Sequence, residues 1–318
     1  MNSKEPYIDI SVCIITCNHE RYITQSIMSV LSQKGNYSIE ILVGIDHSED
    51  TTLERVTEIA NRFPSVVKYF HHNPRLGCGS INFQVLLKNA KGKYVAYLDG
   101  DDYWRPNKLK QQIQILDENH HFPACYTDTL TQNKKGVLTG RFTNYSDNTV
   151  SIDDLLTRGN FLNFSSLVFR RKYITDILSL KPPFIDYQVN LSLSRNNQLA
   201  YIPSPLVVYR YQSQSSMRRQ ANTQVRERYW TALRSELSEH HSDDKVLVSL
   251  SVFLRSIFYH GIKTKNLKLP VNWFTVVTDQ TTVNPLTLVI YTLYEILNYP
   301  IKAVIGYLLT RNRILYRV

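Results

Sequence analysis

Between Ile8 and Asp99 the chain alternates short β-branched runs with segments of helical spacing, and this order leaves few folds open. IDISVCIIT (8–16) is almost continuously apolar, as a strand covered on both faces of a parallel sheet must be. IEILVGID (39–46), VVKYFHH (66–72) and KYVAYLD (93–99) read as three further strands. Between them lie NHERYITQSIMSVLSQ, with Ile23, Ile27, Val30 and Leu31 on one helical face and Asn18 as its expected N-cap, then TLERVTEIANRF (52–63) and INFQVLLKNA (81–90). Parallel strands joined by helical crossovers give an α/β fold with a doubly wound, mostly parallel central sheet flanked by helices.

In such a sheet the ligand sits beyond the carboxyl ends of the strands. Thr16 to Asn18, Asp46 to Asp50 and Asp99 to Asp102 all fall there, so three polar turns converge on one crevice. The last of them, YVAYLDGDDYW (94–104), sets Asp99, Asp101 and Asp102 directly after an apolar run. Like charges this close repel by several kcal/mol at an effective dielectric of ~20, unless the turn is solvated or holds a cation. A DxD after a strand can hold Mg2+ or Mn2+ through oxygen, the metal's other sites taking diphosphate oxygens. Aspartyl-phosphate phosphatases also place DxD after a strand, but near the first one and with Thr or Val two places past the second Asp; here Tyr103 stands there. No GxGxxG or GxxxxGK[ST] follows any strand, and GCGS (77–80) is too short for either.

The chain carries a formal charge of +10 and 21 Tyr, a balance suited to phosphates, sugars or acidic lipid heads. Its Lys and Arg are spread along the sequence rather than massed, which speaks against nucleic acid as a partner. Cys13, Cys17, Cys78 and Cys125 show neither CxxC nor metal-type spacing and read as reduced thiols, and MNSKEPYIDI lacks the apolar core of a secretory signal; the expected location is the cytosol. The His pairs at 71/72, 120/121 and 240/241 are adjacent residues that cannot face one site, and read as surface or turn.

Several segments taken in order resemble the family 2 glycosyltransferases of GT-A fold. SVCIITCNHERYI matches the family's apolar strand ending in T-Y-N, ILVGIDHSEDTT its D-x-S-x-D-x-T, and GKYVAYLDGDDYW followed by PNKL its L-D-x-D-D-x-W. FIDYQ stands for the short acidic segment and VVYRYQ for the closing V-Y-R-x-H. The resemblance covers roughly 8–215. It implies a transferase domain over 1–215, with a nucleotide-sugar half (1–115) and an acceptor half (116–215), and a helical region over 216–318.

Carried over, it implies that Thr16, Asn18, Asp46 and Asn82 contact the nucleotide sugar, Asp46 through the base. Asp99 and Asp101 become the DxD pair, Asp101 as metal ligand and Asp99 toward ribose or sugar, with Asp102 supporting the loop and Trp104 either packing beneath it or stacking on sugar. Asp186 falls at the catalytic base, which deprotonates the acceptor hydroxyl for one-step, inverting displacement. The implied cofactor is Mn2+ or Mg2+. The implied partners are a nucleotide diphospho-sugar, UDP favoured, and a glycan or lipid-linked glycan acceptor of surface polysaccharide synthesis. Cys17, Ile81 and Gln212 depart from the pattern, replacing an aromatic, an Arg and a His. Arg210 and Gln212 are candidate phosphate contacts, and Arg218 and Arg219 serve there or lie in a solvated linker. The rival class is a nucleotide-sugar-binding or scaffold protein without turnover.

Two features stay open at this level. Asp50 caps the helix starting near Thr51 or touches ligand, and Ser165 and Ser166 in NFSSLVF line the acceptor side or sit in a plain strand. Beyond Ala221 the chain is expected to be helical to its end. LTLVIYTLYEILNYPIKAVIGYLL (286–309) is apolar, but Glu295, Pro300 and Lys302 interrupt it, and a central charge costs roughly 2.5–3.5 kcal/mol on insertion scales. Glu295, Asn298, Lys302, Gly306 and Thr310 draw a polar stripe along it, with Arg311, Arg313 and Arg317 behind. Such a helix suits peripheral contact at the inner face of the membrane through 286–318, or packing on the domain or in a homodimer.

Overall fold

A computed structural model describes residues 7–211, 222–237, 243–266, 268–310 and 313–316. Gln212, Arg218 and Arg219 lie outside them. Strands β1 (Ile10–Thr16), β2 (Ile39–Ile45), β3 (Val67–His71) and β4 (Tyr94–Asp99) run parallel in the order β3-β2-β1-β4. The double burial expected of β1 is observed. Ile10, Val12 and Ile14 face Ile23, Ile27 and Val30 of α1 (Ile23–Leu31), and Cys13 faces Phe83, Leu86 and Leu87 of α3 (Gly79–Asn89). Helices α2 (Thr52–Arg62) and α4 (Lys108–Glu118) send Val56, Ile59, Leu109 and Leu116 into the same cluster as α1.

Helix α1 starts at Ile23, not at Asn18. Asn18 instead takes a left-handed φ of 55°, a conformation Asn tolerates, and its side-chain Oδ1 accepts the Glu49 N–H at 2.8 Å. The turn after β1 is thereby tied to the turn after β2.

Past β4 the sheet turns mixed. β9 (Val168–Arg170) pairs antiparallel with β4 and with β6 (Ala124–Gln132), and β7 (Leu138–Thr143) pairs with β6. NFSSLVF, read in part as a strand, divides into a 3-10 turn at Phe164–Ser166 and then β9. LAYIPSPLVVYRY, whose two prolines suggest a pair of strands, is one strand, β10 (Leu199–Arg210), parallel to β6 with register shifts at Pro205. Proline offers no N–H to the ladder, so β10 kinks there without ending. Its Pro203 carbonyl accepts Arg141 Nη2 at 2.6 Å. The far end of β10 pairs with β5 (Tyr103–Trp104) and so delivers Arg210 to the acidic turn; its near end meets β8 (Thr149–Val150). Before it come α5 (Ile152–Arg158), α6 (Ile174–Leu178) and α7 (Asp186–Ser194).

Helices α8 (Asn222–Leu237), α9 (Asp243–Thr264), α10 (Lys268–Asp279) and α11 (Pro285–Thr310) follow, but the chain does not stay helical: β11 (Arg313–Tyr316) returns to the sheet edge parallel to β7, burying Ile314. Four residues carry too little periodicity to be read as a strand. Trp230, Phe253, Trp273 and Leu288 join one apolar cluster with Phe83 and Tyr187, so these helices share a core with α3 and α7. Helix α9 is long and apolar enough to cross a membrane by length and composition, yet Leu250, Phe253, Leu254 and Ile257 are buried within the protein.

In helix α11 the Glu295 position of the polar stripe faces the protein. Arg255 Nη1 donates to Glu295 Oε2 at 2.5 Å and Tyr259 Oη to the Ile296 carbonyl at 2.7 Å, so the acidic position faces α9. The solvent side presents Leu286, Ile290, Leu293, Leu297, Ile301 and Val304, each more than half exposed.

Candidate active site

The crevice begins where β1 and β4 end side by side, with Ile15 paired to Asp99. Gly100 follows because nothing larger fits: a Cβ there would stand 2.7 Å from Thr16 Oγ1. Thr16 is buried at the floor, and its hydroxyl is a buried polar atom with no hydrogen-bond partner in the protein.

Ser165 organises the acidic turn. Its hydroxyl donates to Asp102 Oδ2 at 2.6 Å and lies 3.3 Å from Asp99 Oδ2, while accepting the Asp99 N–H at 3.1 Å. Its carbonyl accepts Trp104 Nε1 at 2.8 Å. Trp104 is buried beneath the loop with Lys108 Nζ 3.9 Å from its ring centroid, which decides for packing over sugar stacking. Tyr97 Oη donates to Asp99 Oδ1 at 2.7 Å, and the Arg210 N–H to Asp102 Oδ1 at 3.0 Å.

These bonds do not offset the loss of water. Burial first, then the charge of Asp101, pushes the Asp99 carboxyl up to about 7; burial, then Asp101 and Asp99, holds Asp102 well above the carboxylate range. His19 Nε2 stands 3.9 Å from Asp101 Oδ2, and its Nδ1 is buried without a hydrogen-bond partner.

Arg210, a candidate phosphate contact, has a structural task. It lies between the rings of Tyr22 and Tyr103, 4.9 and 4.6 Å from their centroids, and Nη1 donates to the Asp101 carbonyl at 2.5 Å. The guanidinium braces the loop from behind.

Asp46 follows β2. Oδ1 accepts the His47 and Leu76 N–H groups at 3.0 and 2.8 Å, Oδ2 the Gly77 N–H at 3.0 Å, and Arg75 Nε lies 3.8 Å away. The same arginine reaches Cys17 Sγ at 3.3 Å, so guanidinium and thiol stand where an aromatic was expected. Asn82 donates to the Gly44 carbonyl at 2.8 Å and contacts His72 Nε2 at 3.1 Å. Its amide is thus spent joining α3 to β2 and the end of β3. Asp50 caps: Oδ1 accepts the Thr52 N–H at 3.0 Å, and Oδ2 the Glu20 N–H at 3.0 Å.

Asp186 opens α7, where the positive end of the helix dipole faces it. Its Oδ1 accepts the Tyr187 N–H at 2.9 Å and Asn160 donates to the carboxylate, yet burial wins and raises its pKa. Asp99 and Asp186 line one pocket of about 170 Å3, walled by Phe83, Tyr97 and Phe184 and reached by Arg228 from α8. That is room for roughly ten waters, more than a structural solvent site needs. The structure therefore brings Asp99 and Asp186, 87 positions apart in the sequence, into one cavity. Asp46 and Asn18 stand on the neighbouring turns and Asn82 in the first turn of α3, all engaged with the protein. Sequence reasoning named Ser165 only as acceptor lining and missed its junction role; His19 lies inside SVCIITCNHERYI without being singled out, and no motif marks Asn160 or Arg228.

Among the described residues no three His, Cys, Asp or Glu side chains form a metal cage. Mg2+ or Mn2+ does not need one, since it binds through one or two carboxylates plus substrate phosphate and water. Buried carboxyls driven upward first by the loss of water and then by one another's charge fit a site that takes a cation with its ligand.

The family model described as glycosyl transferase family 2 matches residues 11–177. An uncharacterized protein of Mycobacterium bovis is 29% identical over 203 residues, covering 63% of this chain and 58% of its own. An uncharacterized glycosyltransferase of Haemophilus influenzae is 27% identical over 221 residues, covering 63% and 65%. The chain thus spans less than two thirds of the length of either relative. Among solved structures, S. aureus TarS 1–349 superposes with a TM-score of 0.64 at 20% identity over 86% of this chain and 80% of that one, a likeness of fold. With the family's segment spanning both strand-end turns and the acidic loop, the chain belongs to glycosyl transferase family 2.

Proposed function

We propose that the chain is an inverting, metal-dependent hexosyltransferase moving a sugar from a nucleotide diphospho-sugar to a hydroxyl of a glycan or lipid-linked glycan in surface polysaccharide synthesis. The observation that carries this reading is the single pocket shared by Asp99 and Asp186. A sugar hydroxyl is a poor nucleophile until a carboxylate takes its proton, and a raised pKa brings Asp186 closer to the basicity that work requires. Asn160 and the α7 N-terminus orient that carboxylate. Asp101 and Asp99 would hold the Mg2+ or Mn2+, which when bound supplies charge compensation for the departing diphosphate. Phe83, Tyr97 and Phe184 give the sugar apolar walls and exclude water. UDP is the favoured nucleotide, as structures of S. aureus TarS carry UDP and UDP-GlcNAc.

The test is calorimetric titration of UDP, GDP and dTDP with and without Mn2+. We expect one nucleotide to bind in a Mn2+-dependent way and Asp101→Ala to weaken it at least roughly tenfold. No binding under any condition overturns the reading; binding with no transfer to any acceptor favours the scaffold class.

The location that fits is the inner face of the cell membrane, through α11. Its outward Leu286, Ile290, Leu293, Leu297, Ile301 and Val304 are joined by an exposed Tyr294, and Lys263, Lys265 and Lys268 are exposed at the α9–α10 turn. An apolar stripe with a basic flank suits an anionic bilayer rather than a second apolar surface. We expect sedimentation with phosphatidylglycerol vesicles, lost in Ile290→Glu/Leu297→Glu. A dimer in solution that the same pair of changes splits would assign the stripe to a second copy instead.

A further inference from the structure

Helix α7 sets Asp186 and Asn190 one turn apart, so both side chains leave the same face. One residue spans them. Asn160, which follows α5 across Gly159, donates its amide to the Asp186 carboxylate and accepts Asn190 Nδ2 on its Oδ1 at 2.8 Å. Its backbone is held as well, the N–H donating to Tyr229 Oη of α8 at 3.0 Å. The row of bonds goes one step deeper, because Asn190 Oδ1 accepts Tyr126 Oη from β6. Tyr126 and Asn190 are fully buried, and neither lines the pocket.

An amide has two unlike ends, so such a row has a direction. From the sheet outward, Tyr126 donates to Asn190, Asn190 to Asn160 and Asn160 to Asp186. Each acceptor is filled by the donor behind it. Turned the other way, the row would set Asn160 Oδ1 against the carboxylate, lone pair to lone pair. A phenol that keeps its proton supplies the first donor, and burial holds the Tyr126 hydroxyl well above its ordinary range. Polar groups this deep are costly when a member loses its partner, so the hydroxyl at the inner end bears on the amide at the outer one.

We propose that Tyr126 and Asn190 are positioning residues for the base: through Asn160 they fix which way the amide beside Asp186 points, and with it the aim of the carboxylate at the acceptor hydroxyl. The inference rests on the transferase reading above and extends its base from the pocket wall back into the sheet.

The test compares Tyr126→Phe, Asn190→Leu and the double variant with the wild type on two readouts. The first is titration of the Asp186 carboxyl, followed by 13C NMR on the full chain with labelled aspartate and assigned by its loss in Asp186→Asn. The amide bond favours the charged carboxylate, so weakening it raises the midpoint, and we expect a rise of about 0.5 to 1 pH unit in either variant. The titratable groups that share the pocket or feel Asp186 are Asp99, Tyr97, Tyr126 and Arg228; Asn190→Leu alters none of them, which ties its shift to the row of amides.

The second readout is steady-state transfer. Each variant should lose about 3- to 30-fold in kcat with the KM for the donor within about twofold, and the acid limb of its pH profile should follow the NMR midpoint. Because the two residues act in series, the double variant should be no worse than Asn190→Leu alone, whereas independent losses of structure would multiply. An unmoved midpoint in both single variants overturns the proposal, as do multiplied losses in the double variant or a shifted midpoint with unchanged kcat. If Asn190→Leu does not fold, Tyr126→Phe, one oxygen lighter, decides by its own midpoint and kcat. Absence of transfer by the wild type fails the transferase reading separately, and the carboxyl titration still decides whether Tyr126 and Asn190 govern Asp186.

Discussion

Asp186→Asn should abolish nearly all sugar transfer, by about 10^2- to 10^4-fold, while leaving nucleotide affinity within about twofold. The amide is isosteric with the carboxyl and can still accept the Tyr187 N–H, so α7 keeps its first turn. What it cannot do is accept a proton from the acceptor hydroxyl. Stability separates this outcome from misfolding. Burial raises the Asp186 carboxyl in the folded chain, so its contribution to stability is present below the unfolded carboxylate pKa and is lost as pH rises through the raised value. Asn carries no such penalty, and Asp186→Asn should therefore melt no lower than the wild type at pH 8. Transfer rates, calorimetric affinity and a thermal melt on one preparation check all three. Full transfer by the mutant sinks the assignment of Asp186 as base, and a lowered melting temperature would show that the lost activity came from the fold.

The half of the fold that was legible in the sequence is the half with a period. Ile10 to Ile14 and Ile23 to Val30 announce their faces by spacing, and the helix–strand order fixes the crossovers. What the sequence hid depends on contacts without a period. Asn18 looked like an N-cap because Asn caps helices, but the same side chain also tolerates a left-handed turn and bonds across to Glu49. Glu295 read as one member of a polar stripe, and spacing alone does not say which way that stripe faces. Its partner Arg255, on α9, is 40 positions away in the sequence. Asp99 and Asp101 were legible as a site because their proximity is unaffordable without a reason. Ser165 was not, since its weight comes from the two carboxylates that a 3-10 turn places beside its hydroxyl.

Those carboxylates set the other large effect. Binding of the nucleoside diphosphate with Mn2+ should weaken by up to about tenfold for each pH unit below about 7, because Asp99 must lose its proton to meet a cation and holds it up to about that pH when none is present. The nucleotide-free chain should show the opposite trend. A carboxyl raised to about 7 when folded binds a proton that the unfolded chain has already released, so the chain loses stability as pH rises from the ordinary carboxylate range toward 7. Acid therefore favours the empty fold and alkali the loaded one. Ser165→Ala removes a hydrogen bond that lowers both Asp99 and Asp102, and should move the midpoint of the binding profile upward. The change removes one hydroxyl from a fully buried side chain whose carbonyl still holds Trp104, so the loop itself should stand. Calorimetry between pH 5.5 and 8.5 on both proteins measures the two midpoints. A pH-independent affinity in the wild type would mean that Asp99 takes no part in holding the cation. An unmoved midpoint in Ser165→Ala would mean that the acidic turn is held ionised by something other than the hydroxyl between its carboxylates.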